Sequence, residues 1–337
     1  MTIKDLAAKT GYSVGTISRV LNNQPHVSDT AREIILRAAS ECGFQLNTNA
    51  KQLKQQHSTS ILVICKSSSN ELFDSLLVAI QGRIARTQYP LILDYIDEDD
   101  NEVLRAIQLC QERKPLAIVF LGGRTENFRR DFRRISLPCV LVTTSAAELS
   151  FPNLSSVCVD DNDAAQLAID QLLTMGHREF VVIGGNRENS DTARLRFEGC
   201  MEAFRRSGIE FDPELDYETS RFTCLGGYRA AQALLSRGRK FTALFAMSDV
   251  MAIGAIRALR DAGLRVPEDV SVMGLDGLTI GQYTFPRLST VAQPVDSLAE
   301  RSLELLRLSM EGGTASRHEI VPVTLWMRES VRKIRET

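Results

Sequence analysis

The sequence predicts a small all-α helix-turn-helix headpiece followed by an α/β two-lobed core of parallel sheets flanked by helices. Residues 1–45 carry three short apolar stripes at i, i+3, i+4 spacing, separated by a glycine and by capping serines. From residue 60 onward, short apolar runs alternate with amphipathic helical patterns, as in parallel sheets covered on both faces. That alternation continues to residue 337, longer than one ordinary core supports, which predicts two lobes.

The first helix starts at Thr2, which can cap it with Asp5 three residues on, and Ile3, Leu6 and Ala7 form its buried stripe. Gly11 stops it. Ser13 caps a second helix with Ile17, Val20 and Leu21 on one side and Ser13, Val14, Gly15, Thr16, Ser18 and Arg19 around its start and outer face. Ser28 caps a third, with Ala31, Ile34, Ile35 and Ala38 as its stripe and Gly43 as its stop.

The residues outside this core suit a helix N-terminus pressed against phosphate, where backbone amides and the helix dipole favour anions. Ser13, Thr16 and Ser18 position the second helix and Arg19 reaches a guanine edge; Val14 offers only a methyl contact and Gly15 no side chain. Over residues 1–57, Lys4, Lys9, Arg19, Arg32, Arg37, Lys51 and Lys54 outnumber Asp5, Asp29, Glu33 and Glu41, although the whole chain is formally −2. Positive charge thus sits where a nucleic acid needs it. Gly11-Tyr12-Ser13-Val14-Gly15 also matches the G-x-S-x-G nucleophile elbow, but that motif follows a buried strand, whereas a helical pattern precedes it here.

These motifs, with Thr2-Ile3-Lys4-Asp5-Leu6-Ala7, Ser13 to Asn22 and His26-Val27-Ser28, resemble the DNA-binding headpiece of the lac repressor/galactose repressor family of bacterial transcription regulators. The following polar segment has Leu53 as its one large apolar residue after Leu46, and a helix of that kind is not stable alone in water. The resemblance implies a hinge helix here, ordering on DNA as a pair across the dimer axis and wedging Leu53 into the minor groove. Leu46 departs from the proline common in the family. The DNA-binding set is Ser13, Val14, Gly15, Thr16, Ser18, Arg19, Asn22, His26, Asn47, Ala50 and Leu53.

Core strands are expected at 61–65, 91–93, 117–121, 140–142, 157–159, 180–183, 243–245 and 270–273, with helices at, for example, 76–85, 164–173, 193–204, 230–235 and 252–259. Met175-Gly176-His177-Arg178, Ser248 to Ala255, Val266 to Val272 and Pro286 to Val291 resemble the same family's effector-binding core, itself similar to periplasmic sugar-binding proteins. The resemblance implies a small molecule between two lobes joined by crossover strands. The expected domains are 1–45 for DNA reading, 46–59 for the hinge, and 60–337 for effector binding and dimerisation; the N-lobe takes 60–157 and 290–317, the C-lobe 158–289 and 318–331.

Ligands of such sheets sit outside the carboxyl ends of the strands. Arg196 matches the family's effector-binding arginine, Asp276 its aspartate, Phe222 its aromatic platform and Ser248 a neighbouring polar position; Thr143, Lys66, Asn70 and Phe73 complete the expected effector set. An arginine fork and a carboxylate bind adjacent hydroxyls in complementary directions, and an aromatic face suits the C–H surface of a sugar. Thr143-Thr144 stand where many members have an aspartate or asparagine followed by arginine, and Lys66 where the family usually has an uncharged residue. Lys66 together with Arg196 predicts a cationic cleft favouring a sugar acid or phosphosugar.

Seven cysteines, odd in number and without C-x-x-C spacing, argue against disulfides and zinc; the four histidines show no metal-ligand spacing. No leader and no apolar run long enough to span a bilayer is seen, so a cytoplasmic, nucleoid-associated protein without metal or cofactor is expected. The residues after Met327 show no leucine heptads, which predicts a homodimer rather than a tetramer. The function predicted is a sequence-specific, effector-controlled transcriptional repressor binding a palindromic double-stranded operator, not an enzyme, with a sugar or sugar derivative as its effector. The rival readings are a cytosolic ligand-binding protein and a corepressor-dependent regulator with a non-sugar effector.

Overall fold

The computed structural model describes residues 3–21, 27–42, 59–66, 70–312 and 315–334. The chain divides into two units, Met1–Ser58 and Thr59–Thr337.

In the first unit, α1 (Ile3–Thr10), α2 (Val14–Leu21) and α3 (Asp29–Glu41) enclose Leu6, Ile17, Val20 and Ile35. Gly11, at φ +73°, ends α1 and donates its N–H to Ala7 O at 2.9 Å. Ser13 Oγ accepts the Thr16 N–H at 3.1 Å and Ser28 Oγ the Ala31 N–H at 3.4 Å, so serines open both later helices. Ile34 departs from its expected place and is 41% exposed, because α3 buries the face carrying Ala31, Ile35, Ala38 and Ala39. The expected cap Thr2 and stop Gly43 lie outside the described residues; Cys42 closes α3 instead, donating its N–H to Ala38 O.

The second unit holds two sheets. The first contains β1 (Ile61–Lys66), β2 (Leu91–Ile96), β3 (Ala117–Leu121), β4 (Cys139–Val142), β5 (Leu154–Cys158) and β11 (His318–Ile320), in the order β11-β5-β4-β3-β1-β2. The second contains β6 (Phe180–Gly184), β7 (Tyr217–Thr219), β8 (Ala243–Ala246), β9 (Ser271–Asp276), β10 (Ser289–Ala292) and β12 (Thr324–Trp326), in the order β12-β10-β9-β8-β6-β7. All recorded pairings are parallel except β10 with β12. The central strands are buried on both faces, which is why they read as unbroken apolar runs.

Helices α4 (Glu71–Ile84), α5 (Glu102–Arg113) and α6 (Thr125–Asp131) cover the first sheet; α7 (Asp161–Thr174), α8 (Asp191–Arg206), α9 (Pro213–Asp216), α10 (Cys224–Ser236) and α11 (Asp249–Asp261) belong to the second lobe. The chain crosses between lobes three times. After β5 it enters α7, whose Ala164, Ala168, Ile169 and Leu172 join the core of the second lobe. After β10 it enters α12 (Val295–Met310), whose Leu298, Ala299, Leu305 and Leu306 join the first. After β11 it passes to β12.

Two expected lobe boundaries therefore shift. Residues 290–292 belong to the second sheet because β10 pairs with β9 and β12, and residues 318–320 to the first because β11 pairs with β5. The strand expected at 270–273 runs on to Asp276, which carries that residue to the ligand end of the sheet.

Candidate functional site

At the carboxyl ends of the strands, where the two lobes face each other, lies a cavity of about 150 Å³. Its walls are built alternately by the two lobes. Lys66 ends β1, Asn70 caps α4, and Phe73 lies in the first turn of that helix; Gly122 follows β3 and Thr143 follows β4. From the second lobe come Ser190 and Arg196 of the α8 start, Phe222 after β7, Asp276 ending β9 and Gln293 after β10. A larger groove of about 570 Å³ lies at the opposite edge of the first sheet, beside Ile61, Leu116 and Pro138. It is mainly apolar and lacks convergent buried polar groups, so the smaller cavity is the candidate site.

Two glycines make room for the aromatic rings. A Cβ on Gly122 would stand 2.7 Å from Phe73, and one on Gly185 2.6 Å from Phe222. Two non-glycine residues with left-handed backbone also line the cavity: Thr143 at φ +73° and Asp276 at φ +134°. Such conformations are unfavourable for residues with a Cβ and concentrate at ligand sites, where surrounding structure over-determines them. Thr143 is held by its N–H donating to Val157 O at 2.9 Å.

Arg196 is buried, and its guanidinium is organised by protein groups before any ligand arrives. Nε donates to Asp161 Oδ1 at 2.7 Å, Nη1 donates to Met247 O, and Nη1 lies 3.8 Å from Asp276 Oδ1. Gln293 Nε2 donates to the same Asp276 oxygen at 2.9 Å. With Nε2 on that carboxyl oxygen, Oε1 is the acceptor at the other end of the amide. Among the described residues Gln293 Oε1 is the single buried side-chain polar atom without a partner. Burial pushes the Asp276 carboxyl up to about 8, with Arg196 opposing the rise and Asp249 adding to it. Burial also raises Asp161, again against Arg196.

The expected cationic cleft is not what the structure holds. Lys66 Nζ lies 2.7 Å from Glu102 Oε2, a carboxylate with no exposed surface that also accepts from the Arg124 N–H at 2.7 Å and from Asn127 Nδ2 at 3.1 Å. Lys66 is paired with Glu102 and Arg196 with Asp161, and the carboxylates Glu98 and Asp99 line the cavity alongside Arg124; Asp276 adds no charge to this balance while burial keeps it protonated. Lys66 and Arg196 are thus each matched by a buried carboxylate rather than left for an anionic ligand.

Of the expected effector residues, the structure brings Arg196, Asp276, Phe222, Thr143, Lys66, Asn70 and Phe73 together around the cavity. Ser248 is not among its lining residues: buried, it accepts the Met251 N–H at 3.3 Å as the cap of α11. Gln293 was missed, since a lone amide after a short strand carries no motif; its place two residues before the next helix was the only signal.

In the headpiece, Ser13, Val14, Gly15 and Arg19 are exposed at the start and outer face of α2, with Thr16 and Ser18 half-buried. Ser13 and Thr16 share a hydroxyl hydrogen bond of 2.9 Å. Because α1 precedes Ser13 and the serine caps α2, the hydrolase-like motif has no strand-to-helix elbow. Asn22, His26, Asn47, Ala50 and Leu53 lie outside the described residues.

A helix-turn-helix headpiece in the same chain as a two-lobed core with a polar interlobe cavity defines a DNA-binding regulator that responds to a small molecule. Residues 2–47 match the model of the bacterial regulatory proteins of the lacI family, and residues 169–331 that of the periplasmic binding protein-like domain. The HTH-type transcriptional regulator MalR of Clostridium butyricum is 31% identical over 98% of this chain and 99% of its own length. The chain belongs to the lacI family of bacterial transcriptional regulators, and it is not an enzyme. The lac repressor dimer bound to operator and the anti-inducer ONPF superposes with a TM-score of 0.78 at 23% identity, covering 98% of this chain and 99% of that one. A lacI-family regulator from Enterococcus faecium with bound ribose gives 0.70 at 24% identity, covering 82% and 100%.

Proposed function

We propose that this regulator is a homodimeric repressor whose cavity takes a neutral polyhydroxylated ligand of monosaccharide size, and that occupancy changes its affinity for a palindromic operator. The observation that carries the ligand class is Gln293 Oε1, a buried acceptor awaiting an O–H donor, beside Arg196, which supplies donors, and Asp276. A buried polar atom without a partner costs about 1–3 kcal/mol, so a ligand hydroxyl there has a specific role. Phe73 and Phe222 offer apolar faces to C–H surfaces, and the matched charges favour a neutral ligand. At about 150 Å³ the cavity falls below the usual range for drug-sized ligands and suits one small ring. The ribose held by the Enterococcus relative supports the same class.

In this reading residues 1–45 read the operator, 46–59 form the hinge and 60–337 bind effector and dimerise. Ser13, Thr16 and Ser18 position α2 on phosphates while Val14, Gly15 and Arg19 face bases; Asn22, His26, Asn47 and Ala50 assist, and Leu53 wedges the minor groove. The protein works in the cytoplasm, at the nucleoid when bound to DNA.

The test is a melting-temperature panel on the full chain: neutral pentoses and hexoses, D-ribose first, against sugar acids and phosphosugars. Neutral sugars raising the melting temperature, with no effect in Arg196→Ala, support the proposal. Shifts confined to the anionic ligands overturn it.

A further inference from the structure

One rim of the cavity is closed by a single arginine from the second lobe lying among three consecutive acids of the first. Arg221 Nε lies 2.9 Å from Glu98 Oε1, and its Nη2 lies 2.7 Å from Asp99 Oδ2 and 3.4 Å from Asp97 Oδ1. The acidic turn is organised for this. Asp97 Oδ1 accepts the Asp99 N–H at 3.1 Å and Asp100 Oδ2 accepts the Asp97 N–H at 3.0 Å, which folds 97–100 into a tight turn directly after β2.

Both halves of this contact are also cavity wall. Glu98 and Asp99 line the cavity on one side, and Ser220 and Phe222, the immediate neighbours of Arg221, line it on the other. Arg221 therefore ties the backbone segment that carries the Phe222 ring to the acidic turn of the other lobe. A second closure stands elsewhere on the rim: Asp191 Oδ2 accepts from Thr125 N–H at 2.7 Å and from Thr125 Oγ1 at 2.9 Å, and Arg124 Nη2 donates to Glu188 O at 3.1 Å. Each of these contacts sets one charged side chain, Asp191 or Arg124, against neutral groups of the other lobe. The Arg221 cluster differs in being built of charges on both sides, with Arg221, Asp97 and Asp99 exposed and Glu98 half-buried, so that salt can screen it.

We propose that Arg221 with Asp97, Glu98 and Asp99 is an electrostatic latch that holds the lobes closed over the cavity without ligand and whose opening gives the effector its way in. The latch biases an equilibrium between closed and open lobes, so any ligand that binds one arrangement better works against or with it. Salt weakens it, and the protein then opens more often with its cores intact.

Hydrogen exchange on the full chain without effector tests this independently of what the effector is, so its failure leaves the proposed ligand class untouched. The reporter is the Thr125 amide, bonded across the cleft to Asp191 and remote in sequence from the latch; Val119 in β3 is the internal control. Exchange of a protected amide reads the opening equilibrium. Arg221→Ala is expected to speed Thr125 exchange about fivefold with Val119 unchanged, and Arg221→Lys to recover most of the protection. Raising salt from about 0.1 M to about 1 M, which cuts the screening length from about 10 Å to about 3 Å, is expected to do the same in the parent and to have little effect in Arg221→Ala. Unchanged Thr125 exchange in Arg221→Ala overturns the latch. If the variant loses protection globally, the parent salt arm decides: no acceleration at Thr125 overturns the proposal, and selective acceleration supports it.

Discussion

Gln293 Nε2 donates to Asp276 Oδ1 at 2.9 Å, and the Gln293 N–H donates to the Asp276 backbone oxygen at 3.0 Å. This paired contact joins the end of β9 to the segment after β10, at the stretch of cavity wall that both residues line. It also couples the two predictions that follow, because one residue supplies the acceptor and the other titrates.

Gln293→Leu removes the unpartnered acceptor while keeping the side chain's bulk, but it also removes the Nε2 donor to Asp276. The two losses offset, so ligand-free melting is expected to stay near the parent's, whereas affinity for the neutral sugar that binds the parent falls about tenfold or more by calorimetry, the effect of losing a hydrogen bond worth about 1.5 kcal/mol. Equal affinity in the two proteins would show that Oε1 takes no ligand donor.

Asp276 makes stability depend on pH in a definite direction. Its carboxyl is pushed up to about 8, so the folded protein holds a proton that the unfolded chain has released. The contribution is fully present below the ordinary carboxylate range and is lost as pH rises through about 8. Ligand-free melting temperature is therefore expected to fall between pH 5 and pH 8.5, with Asp276→Asn flattening much of that slope; an unchanged slope in the variant contradicts the assignment.

The Lys66–Glu102 pair yields a prediction about loss of one partner. Glu102→Ala leaves the half-buried ammonium and the Arg124 N–H without their acceptor, and is expected to destabilise the core by about 3–5 kcal/mol in denaturant unfolding. Lys66→Met should cost less, since Glu102 keeps the Arg124 and Asn127 donors. The reverse order would mean that the pair does not organise this wall.

Much of this architecture was visible in the residues. Ile17 and Val20 lie on one helical face, Ser13 and Ser28 precede apolar periodic stretches, and the strands at 117–121 and 180–184 are continuous apolar runs. What escaped had local reasons. The strands β7, β11 and β12 span three residues each, too short for periodicity, and all three pair with partners more than thirty residues away. Lys66 and Arg196 looked like free cations because Glu102 and Asp161 come from other elements. Ser248 looked like a ligand residue from its place after β8, yet a serine ahead of an apolar helix is also a cap, and its hydroxyl is used that way.

Gly15 tests the headpiece reading. A Cβ there meets only Ser13 Oγ at 3.7 Å, an ordinary contact, so alanine fits without rearrangement. Gly15→Ala is expected to stabilise the headpiece by about 0.5–1 kcal/mol through helix propensity alone. Because the position is exposed on α2, the added methyl should also alter which DNA sequences the full chain selects from a random pool. Identical selected sequences would place α2 away from the bases.

The most direct measurement of the central claim is the affinity of the full chain for its selected DNA, by fluorescence anisotropy at fixed salt, with and without a saturating neutral sugar from the melting panel. A change of about tenfold or more in Kd, absent in Arg196→Ala, is the predicted result and lies within the usual span of coupling between sites. An unchanged Kd with calorimetry showing the cavity filled would contradict it.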